Sequence, residues 1–266
     1  MPILMKSNHS SIFNDVAELY HRIRPRYPEQ LFKDLIELSK ISPDGKIFEI
    51  GAGTGIATIP LAQLGYQIDA LELGPELANV ARNNLAGYKN VQVIVGAFED
   101  AELPADTFDL VMSATAFHWL DKATRIQKSA RALRKDGALA IFRYRHISGG
   151  DISFFEQVQS YYKQHAPFGK GDFHLQEVAD HAIDTTDLDN SGLFHPPATR
   201  RYITEETYPR NQFLVLISTY SGVLELRESA RNKLFNSIGT IIDRDFGGSI
   251  RTCYLTDLIV APKRNN

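Results

Sequence analysis

The amino-acid sequence predicts an α/β protein with a doubly wound, mostly parallel sheet. From residue 27 to residue 142, short apolar segments rich in β-branched side chains alternate with segments whose apolar residues recur at helical spacing. A glycine-rich turn follows the first apolar segment, and an acidic residue closes the second. Strands that alternate with helices of about 10–15 residues are typical of βαβ units around a parallel sheet.

Local signals predict each element in chain order. A helix begins near Pro28, because proline suits the first helical position, and Leu31, Leu35 and Leu38 then mark one face. The segment 42–45 reads Ser-Pro-Asp-Gly, which is the composition of a turn. Five strands are predicted after it, at 46–50, 67–71, 91–95, 108–112 and 138–142. The helices between them are predicted at 55–64, from 75 to the residues before 87, and at 119–133, with a turn at 135–137.

The regular alternation ends after Arg143. A helix is predicted at 151–165, and residues 175–193 are polar with mixed signals. The later elements are predicted as a strand at 198–204, helices at 208–220 and 225–244, and a last strand at 250–260. The segment 146–195 is therefore predicted to be a helical cap insertion, placed where it could cover a substrate.

Length and composition indicate an ordinary globular chain. The 266 residues include 29 Lys and Arg against 32 Asp and Glu, a net charge of −3. This balance argues against a nucleic-acid-binding protein, which usually carries a basic surplus. The single cysteine, Cys253, excludes an internal disulfide and a cysteine-based zinc site. No apolar run approaches 18 residues and no leader pattern is found at residues 1–6, so we expect a soluble, cytoplasmic protein.

The turn after the first strand is the most informative segment. It reads Glu-Ile-Gly-Ala-Gly-Thr-Gly over 49–55, with three glycines between a strand and a helix. Glycine allows a sharp turn and lets a ligand approach bare backbone, at the strand ends where open α/β sheets bind ligands. A dinucleotide-binding Gly-x-Gly-x-x-Gly motif would need its third glycine at position 56, which is isoleucine. A nicotinamide-dependent oxidoreductase is therefore the disfavoured alternative.

The spacing Glu-x-Gly-x-Gly-x-Gly resembles the first motif of class I S-adenosylmethionine-dependent methyltransferases, and the chain is most similar to their small-molecule, type 11-like group. Phe-Asp-Leu-Val at 108–111 resembles the fourth-strand motif, and 131–139 resembles the turn before the fifth strand, with Lys-Asp in place of Pro-Gly. The resemblance implies a Rossmann-like, seven-stranded sheet whose last strand is antiparallel. It also implies S-adenosylmethionine as cofactor, with S-adenosylhomocysteine as product, and a small-molecule acceptor. We expect no nucleic-acid or membrane partner, and a monomer or homodimer.

Cofactor contacts are predicted on this resemblance. Glu72 ends the second strand 17 residues after Gly55, where a carboxylate can accept hydrogen bonds from both ribose hydroxyls. The turn after the third strand departs from the family's Gly-Asp-Ala, because Ala97 replaces the usual aspartate, and Phe98 and Glu99 are predicted to contact adenine instead. The predicted cofactor-binding residues are Tyr20, Arg24, Glu49, Gly51, Ala52, Gly53, Gly55, Glu72, Leu73, Phe98, Glu99, Ser113 and Ala114.

The segment 13–28 resembles the cofactor lid of the same group, in which an aromatic residue and an arginine close over the methionine carboxylate. Tyr20 and Arg24 match these positions. A guanidinium can pair with a carboxylate through two parallel hydrogen bonds, which is the physical reason to expect an arginine there. The alternative is a basic surface loop that carries Arg22, Arg24 and Arg26.

His118, at the exit of the fourth strand, is the candidate catalytic base, because imidazole titrates near neutral pH. Arg143, Tyr144 and His146 are predicted to line the same rim and contact the acceptor. His174 and His181 are seven residues apart, a spacing unlike that of metal ligands, so no metal is predicted.

We expect one methyltransferase domain over 1–266 in four parts. They are a lid and first helix at 1–40, a cofactor-binding core at 41–145, the cap at 146–195, and the elements that complete the sheet at 196–266. A non-catalytic cofactor-binding protein of the same fold remains a second alternative. No Asn-Pro-Pro-aromatic or Asp-Pro-Pro-aromatic tetrad follows the fourth strand, so the usual signature of base methylation is missing.

Overall fold

The computed structural model describes residues 17–165 and 175–265. Within them a sheet is formed by β1 (Lys46–Ile50), β2 (Gln67–Glu72), β3 (Val91–Val95), β4 (Phe108–Ala114), β5 (Leu133–Ile147), β6 (Ala198–Pro209) and β7 (Ser249–Pro262). The spatial order of these seven strands is β3-β2-β1-β4-β5-β7-β6. β7 is antiparallel to β5 and β6, and the other neighbouring pairs are parallel. The predicted doubly wound, mostly parallel sheet with an antiparallel last strand is confirmed.

Helices pack on both faces of this sheet. The described helices are α1 (Ala17–Ile23), α2 (Glu29–Ser39), α3 (Thr58–Gln63), α4 (Pro75–Asn84), α5 (Arg125–Ala132), α6 (Ile152–His165), α7 (Thr186–Ser191), α8 (Arg210–Ser218), α9 (Ser221–Leu224) and α10 (Glu228–Asp245). Single 3-10 turns lie at Phe117–Trp119 and Val178–Asp180. None of the described helices is both long and apolar enough to cross a membrane.

Side-chain alternation along the central strands divides the core between the two faces. In β1, Ile47 packs with α2 and α3, whereas Phe48 packs on the other face with α5. A third apolar cluster joins α6, α8 and α10 to β7, and Tyr254 is its largest fully buried side chain. Burial of one large apolar side chain stabilises a fold by about 1.5–3 kcal/mol. These clusters therefore hold the sheet and the later helices together.

The glycine-rich turn shortens the helix that was predicted at 55–64. α3 begins only at Thr58, because Gly51, Gly53 and Gly55 all have positive φ. A right-handed helix cannot include such a backbone conformation. The three glycines therefore form a loop of their own between β1 and α3.

β5 is much longer than the predicted strand at 138–142. The predicted turn at 135–137 is an irregularity inside β5, where Asp136 has a φ of 61° and the register with β4 shifts between Phe108 and Leu110. The helix predicted at 119–133 is shorter in the structure: α5 begins only at Arg125, after a 3-10 turn that ends at Trp119, and it ends at Ala132 because β5 begins at Leu133. At its other end, β5 extends to Ile147 because β7 pairs with it to that point.

β6 continues through residues that were predicted to be helical. It pairs with β7 without interruption from Ala198 to Pro209, so α8 begins at Arg210 and the prediction of a helix from 208 was wrong at that end. α10 likewise begins at Glu228 rather than 225. The boundary between β6 and α8 is set by pairing with a distant segment, which local sequence does not report. The predictions for 13–16 and for His174 lie outside the described residues.

Candidate active site

The glycine loop turns at the carboxyl edge of the sheet. Gly51, Gly53 and Gly55 have φ values of 70°, 59° and 84°, which disfavour any residue with a Cβ. At Gly51 a Cβ would lie 2.4 Å from the Cβ of Ala116, so the loop packs there against the chain that leaves β4. At Gly53 a Cβ would meet no heavy atom within 4 Å. The backbone of Gly53 therefore borders open space, where a ligand can approach it.

Glu72, the last residue of β2, is hydrogen-bonded to this loop. Its Oε2 accepts from the backbone N–H of Gly53 at 2.8 Å, and its Oε1 accepts from that of Gly74 at 2.8 Å. Burial raises the pKa of the carboxyl, and the N–H groups of Gly74 and Gly53 act in the opposite direction. Because each carboxylate oxygen can accept more than one hydrogen bond, Glu72 keeps positions for a ligand. Its contact with ribose stays a prediction.

Glu49 and Ala52 lie behind the open side of the loop. Glu49 is fully buried, and its Oε2 accepts a hydrogen bond of 2.6 Å from Thr58 Oγ1. Its Oε1 has no partner among the described residues, and burial raises its pKa to about 8. The buried Ala52 donates its N–H to the carbonyl of Leu71. Both residues therefore support the loop from the protein side.

Arg24 is directed into the protein and contacts neutral groups. Its Nε and Nη2 donate to Thr219 Oγ1 and the Thr219 carbonyl at 3.1 and 3.0 Å, and Nη1 donates to the Tyr144 hydroxyl at 3.2 Å. The rings of Tyr20 and Tyr220 lie 4.6 and 4.9 Å from its Cζ. No carboxylate among the described residues pairs with this guanidinium. The positive charge of Arg24 is thus available to an anionic ligand.

The neighbouring arginines differ from Arg24. Arg22 and Arg26 are exposed, as the surface-loop alternative predicted for all three residues. Burial raises the pKa of Tyr20 to about 12, so its hydroxyl stays protonated and cannot oppose a ligand's negative charge. The segment therefore presents one arginine inward and two outward.

Thr115 follows β4 at its exit and is a site residue that no sequence motif had indicated. Its φ is 58°, a strained value for a β-branched residue, which typically costs about 1–3 kcal/mol. Its N–H donates to the Phe142 carbonyl at 2.7 Å, and its hydroxyl shares a hydrogen bond of 2.6 Å with that of Tyr27. No local pattern signals a threonine in this conformation. Tertiary contacts on both sides hold it beside the glycine loop.

Three other predicted cofactor residues lie around this edge. Ser113 is buried and donates its hydroxyl to the Ile50 carbonyl at 2.9 Å, which links β4 to β1. Ala114, the last residue of β4, is partly exposed. Leu73 follows Glu72 and is 46% exposed, an apolar side chain in water next to the loop. Leu73 is thus available to contact a ligand, whereas Ser113 acts within the sheet.

Phe98 and Glu99 are directed elsewhere. Phe98 is 3% exposed and belongs to the apolar core on the α5 face. Glu99 Oε1 accepts a hydrogen bond of 2.9 Å from the N–H of Asp121, in the turn before α5. These contacts do not point to the glycine loop, and the adenine assignment stays a prediction.

A cavity of about 300 Å³ lies between the exit of β4, the end of β5 and α7. His118 lies at its wall, stacked at a tilt on Trp119. Burial lowers the pKa of His118 to about 4, and the positive charges of Arg143 and Arg125 add to the shift. The imidazole is therefore neutral near pH 7, with a free nitrogen that can accept a proton.

The prediction that Arg143, Tyr144 and His146 line one rim was wrong, because alternate residues of a strand face opposite sides. Arg143 lines the cavity beside His118. Tyr144 lies on the other side, with Arg24. His146 packs there between Phe155 and Tyr254, with ring centroids at 4.6 and 5.2 Å.

No three metal-ligating side chains converge within the described parts of the chain. Three residues that were not predicted as site residues also line the cavity: Arg125, Arg145 and Asp257. The parity of β5 would have indicated Arg145 if the strand had been extended beyond residue 142. Asp257 could not be found locally, because β7 reaches the site only through pairing with β5.

The chain is similar to proteins of one family. A family model described as a methyltransferase domain matches residues 48–141. An uncharacterized methyltransferase of Mycobacterium tuberculosis is 31% identical over 129 residues, 48% of this chain and 50% of that protein. A malonyl-[acyl-carrier protein] O-methyltransferase of Halalkalibacterium halodurans is 30% identical over 159 residues, 56% of this chain and 57% of that protein. The chain thus matches about half the length of these curated relatives.

Solved structures resemble the fold at lower identity. Phosphoethanolamine N-methyltransferase 2 of Haemonchus contortus, in complex with S-adenosylhomocysteine and phosphomonomethylethanolamine, has a TM-score of 0.52 and 16% identity, over 95% of this chain and 58% of that chain. The YcgJ protein of Bacillus subtilis has a TM-score of 0.54 and 16% identity, over 90% of this chain and 100% of that chain. These likenesses confirm the predicted Rossmann-like fold. The matched domain at 48–141, the methyltransferase relatives and this sheet support the predicted resemblance of the chain to class I S-adenosylmethionine-dependent methyltransferases of the type 11-like group.

Proposed function

We propose that this chain is an enzyme that transfers a methyl group from S-adenosylmethionine to a small-molecule acceptor. The observation that carries the proposal is the hydrogen bond between the Gly53 N–H and the Glu72 carboxylate, at the open side of the glycine loop. This hydrogen bond places a carboxylate that can accept from ribose hydroxyls beside an exposed stretch of backbone, in a chain that is similar to methyltransferases. The nicotinamide alternative finds no support among the relatives described above.

The residues on this edge fit the proposed cofactor. Gly53 offers space, Glu72 keeps hydrogen-bond acceptor positions, and Leu73 offers an apolar surface beside them. Arg24 supplies a positive charge that no described carboxylate neutralises. These groups match a ligand that carries a ribose at one end and an amino-acid carboxylate at the other.

When bound, the cofactor supplies a methyl group activated by a positively charged sulfur. Glu72 accepts from the ribose hydroxyls, and Arg24 pairs with the carboxylate. The rings of Tyr20 and Tyr220 flank Arg24 and shield that ion pair from water. When the cofactor and the methyl acceptor are held in contact, they no longer have to meet by diffusion. This positioning can supply a large part of the rate acceleration.

His118 is the proposed general base, which takes a proton from a hydroxyl or ammonium group of the methyl acceptor. Its pKa of about 4 keeps the imidazole neutral at pH 7, so it is ready to accept a proton, although weakly basic. We also propose that the segment 146–195 covers the acceptor, since its residues 182–185, 187 and 188 line the cavity. Replacement His118→Asn should lower the methyl-transfer rate and leave cofactor affinity unchanged. If His118→Asn transfers methyl groups at the wild-type rate in a metabolite fraction that contains the methyl acceptor, His118 is not the base.

Calorimetric titration of the folded protein with S-adenosylmethionine and S-adenosylhomocysteine tests the cofactor. We expect saturable binding of both, and no rise in melting temperature with NADH. Absence of binding at millimolar ligand would end the proposal. Radiolabelled cofactor with fractionated metabolite extract then tests catalysis. Tight binding without label transfer to any fraction would favour the non-catalytic alternative.

A further inference from the structure

Three arginines line the cavity beside His118, and their ionic partners differ. Arg125 forms an ion pair with Asp187 of α7. Arg145 pairs with Asp257 of β7 at 3.1 Å. The side chain of Arg143 makes no ion pair, hydrogen bond or ring contact with any described residue. The cross-strand neighbour of Arg143 is Asp257, which pairs with Arg145 and Arg201 instead. The cavity therefore contains one guanidinium that has no ion-pair partner within 4 Å among the described residues.

The remaining carboxylate on the cavity wall does not supply this compensation. Asp184 accepts a hydrogen bond of 3.0 Å from the N–H of Thr186 at the start of α7. No ion pair within 4 Å joins it to Arg143. The charge of Arg143 also contributes to the lowered pKa values of His118 and of Arg145, after the larger effect of burial. Two neighbours therefore experience the field of Arg143, which would favour an anion in the cavity.

We propose that the methyl acceptor carries a carboxylate or phosphate group that binds Arg143 in this cavity. This inference rests on the proposed function and names the acceptor's chemical class. A partly buried guanidinium gains most from a partner that can accept two parallel hydrogen bonds, which carboxylates and phosphates do. A volume of about 300 Å³ is at the lower end of ligand pockets, so the acceptor is a compact acid.

Trp119 provides a direct reporter, because it is the only tryptophan of the chain and its ring contacts that of His118. Its fluorescence is followed while succinate, citrate or inorganic phosphate is added at constant ionic strength, with and without saturating S-adenosylhomocysteine. We expect at least one acid to bind the wild type. Arg143→Gln should weaken that binding at least tenfold, Arg143→Lys less so, and the exposed Arg227→Gln not at all. The preferred probe separates a carboxylate from a phosphate acceptor.

Equal affinity of Arg143→Gln and wild type for the probes would overturn the proposal, as would failure of all three probes to bind. S-adenosylhomocysteine affinity, measured by calorimetry on the same samples, should not change in Arg143→Gln. If the wild type binds the acids but not S-adenosylhomocysteine, the proposed function fails while the anion site stands. If it binds S-adenosylhomocysteine but none of the acids, the anion site is excluded while the proposed function stands.

A separate observation concerns β6, which forms an edge of the sheet. Among the described residues, its backbone pairs with β7 alone, and Ile203 at its centre is 61% exposed. A long exposed edge strand with an apolar residue is a template for pairing with another strand. The charges around Ile203 indicate which strand fits.

The segment around Ile203 is complementary to itself. In an antiparallel pair with Ile203 opposite its own copy, Arg200 lies opposite Glu206. Arg201 lies opposite Glu205, but within the chain these two residues already pair with Asp257 and Arg251. Opposite charges directly across a strand pair stabilise it. We infer that β6 pairs with β6 of a second copy of this chain, which joins two sheets into one across a twofold axis.

Charge exchange at two positions tests this pairing. Arg200 and Glu206 form no ion pair within the described chain, so their replacement should leave the fold intact. Light scattering at micromolar concentration should find a dimer for the wild type and weakened dimers for Arg200→Glu and for Glu206→Arg. A mixture of the two variants should dimerise again, because each then meets an opposite charge. A monomeric wild type, or a mixture that stays monomeric, would overturn the pairing.

Discussion

The backbone N–H of Gly53 lies 2.8 Å from Oε2 of Glu72 and donates a hydrogen bond to it. One bond therefore couples the turn after β1 to the end of β2. The same carboxylate also accepts from Gly74, at the start of α4. Any ligand that approaches the loop meets a carboxylate already oriented by two backbone groups.

Glu72→Gln should weaken S-adenosylhomocysteine binding by at least about tenfold, because the amide offers one acceptor oxygen where the carboxylate offers two. Calorimetric titration measures the change. Asp69→Asn is the matched control on the same strand, since Asp69 pairs with Lys46 at 2.7 Å, away from the loop. Equal losses in both variants would contradict a specific role for Glu72.

Gly53→Ala should abolish cofactor binding with only a small loss of stability. The added methyl meets no protein atom within 4 Å, so the cost is that of a positive φ, about 1 kcal/mol. Gly192→Ala is the control, because Gly192 also has a positive φ and open space around its Cβ, at the end of α7. Urea unfolding should show a similar loss of unfolding free energy in both variants. Only Gly53→Ala should lose its affinity for S-adenosylhomocysteine. If Gly53→Ala keeps its affinity for S-adenosylhomocysteine, the ligand does not bind against this loop.

Arg24→Gln should weaken S-adenosylhomocysteine binding about 10- to 100-fold, through loss of a charge-assisted pair worth about 1.5–3 kcal/mol. Its affinity for 5′-methylthioadenosine, which lacks the carboxylate, should not change. Competition titrations with the two ligands compare the losses. Arg22→Gln, at an exposed position, controls for the general removal of charge. Equal weakening of both ligands by Arg24→Gln would indicate a structural role instead.

Acid should destabilise the protein through His146. Burial lowers its pKa from the usual 6.5 to about 4, so the neutral form is favoured in the folded state. As the pH falls from about 6.5 to 4, the unfolded chain takes up a proton that folded His146 does not, and stability falls by at most about 3 kcal/mol. Urea unfolding at pH 7.5 and 4.5 should find a smaller loss for His146→Phe. His195→Phe, at an exposed histidine, should keep the wild-type loss, and an unchanged loss in His146→Phe would refute the assignment.

Local sequence was sufficient to predict features that depend only on residues close together in the chain. The strand, the three glycines and the following helix specify the loop, because only glycine adopts positive φ at low cost. Glu72 was found in the same way, as the polar residue that closes a buried strand. The length of β5 and the division of Arg143 from Tyr144 were missed, because both depend on pairing with β7.

The sequence by itself determined the order of strands and helices along the chain and the resemblance to methyltransferases, and it predicted the edge of the sheet at which a ligand would bind. The tertiary structure decided which side chains meet there. Arg24 and Thr219 are 195 residues apart and still form two hydrogen bonds, and Asp257 reaches the cavity from the last strand. Backbone preferences act over a few residues and can be read along the chain. Ion pairs and cavity walls join segments that only folding brings together.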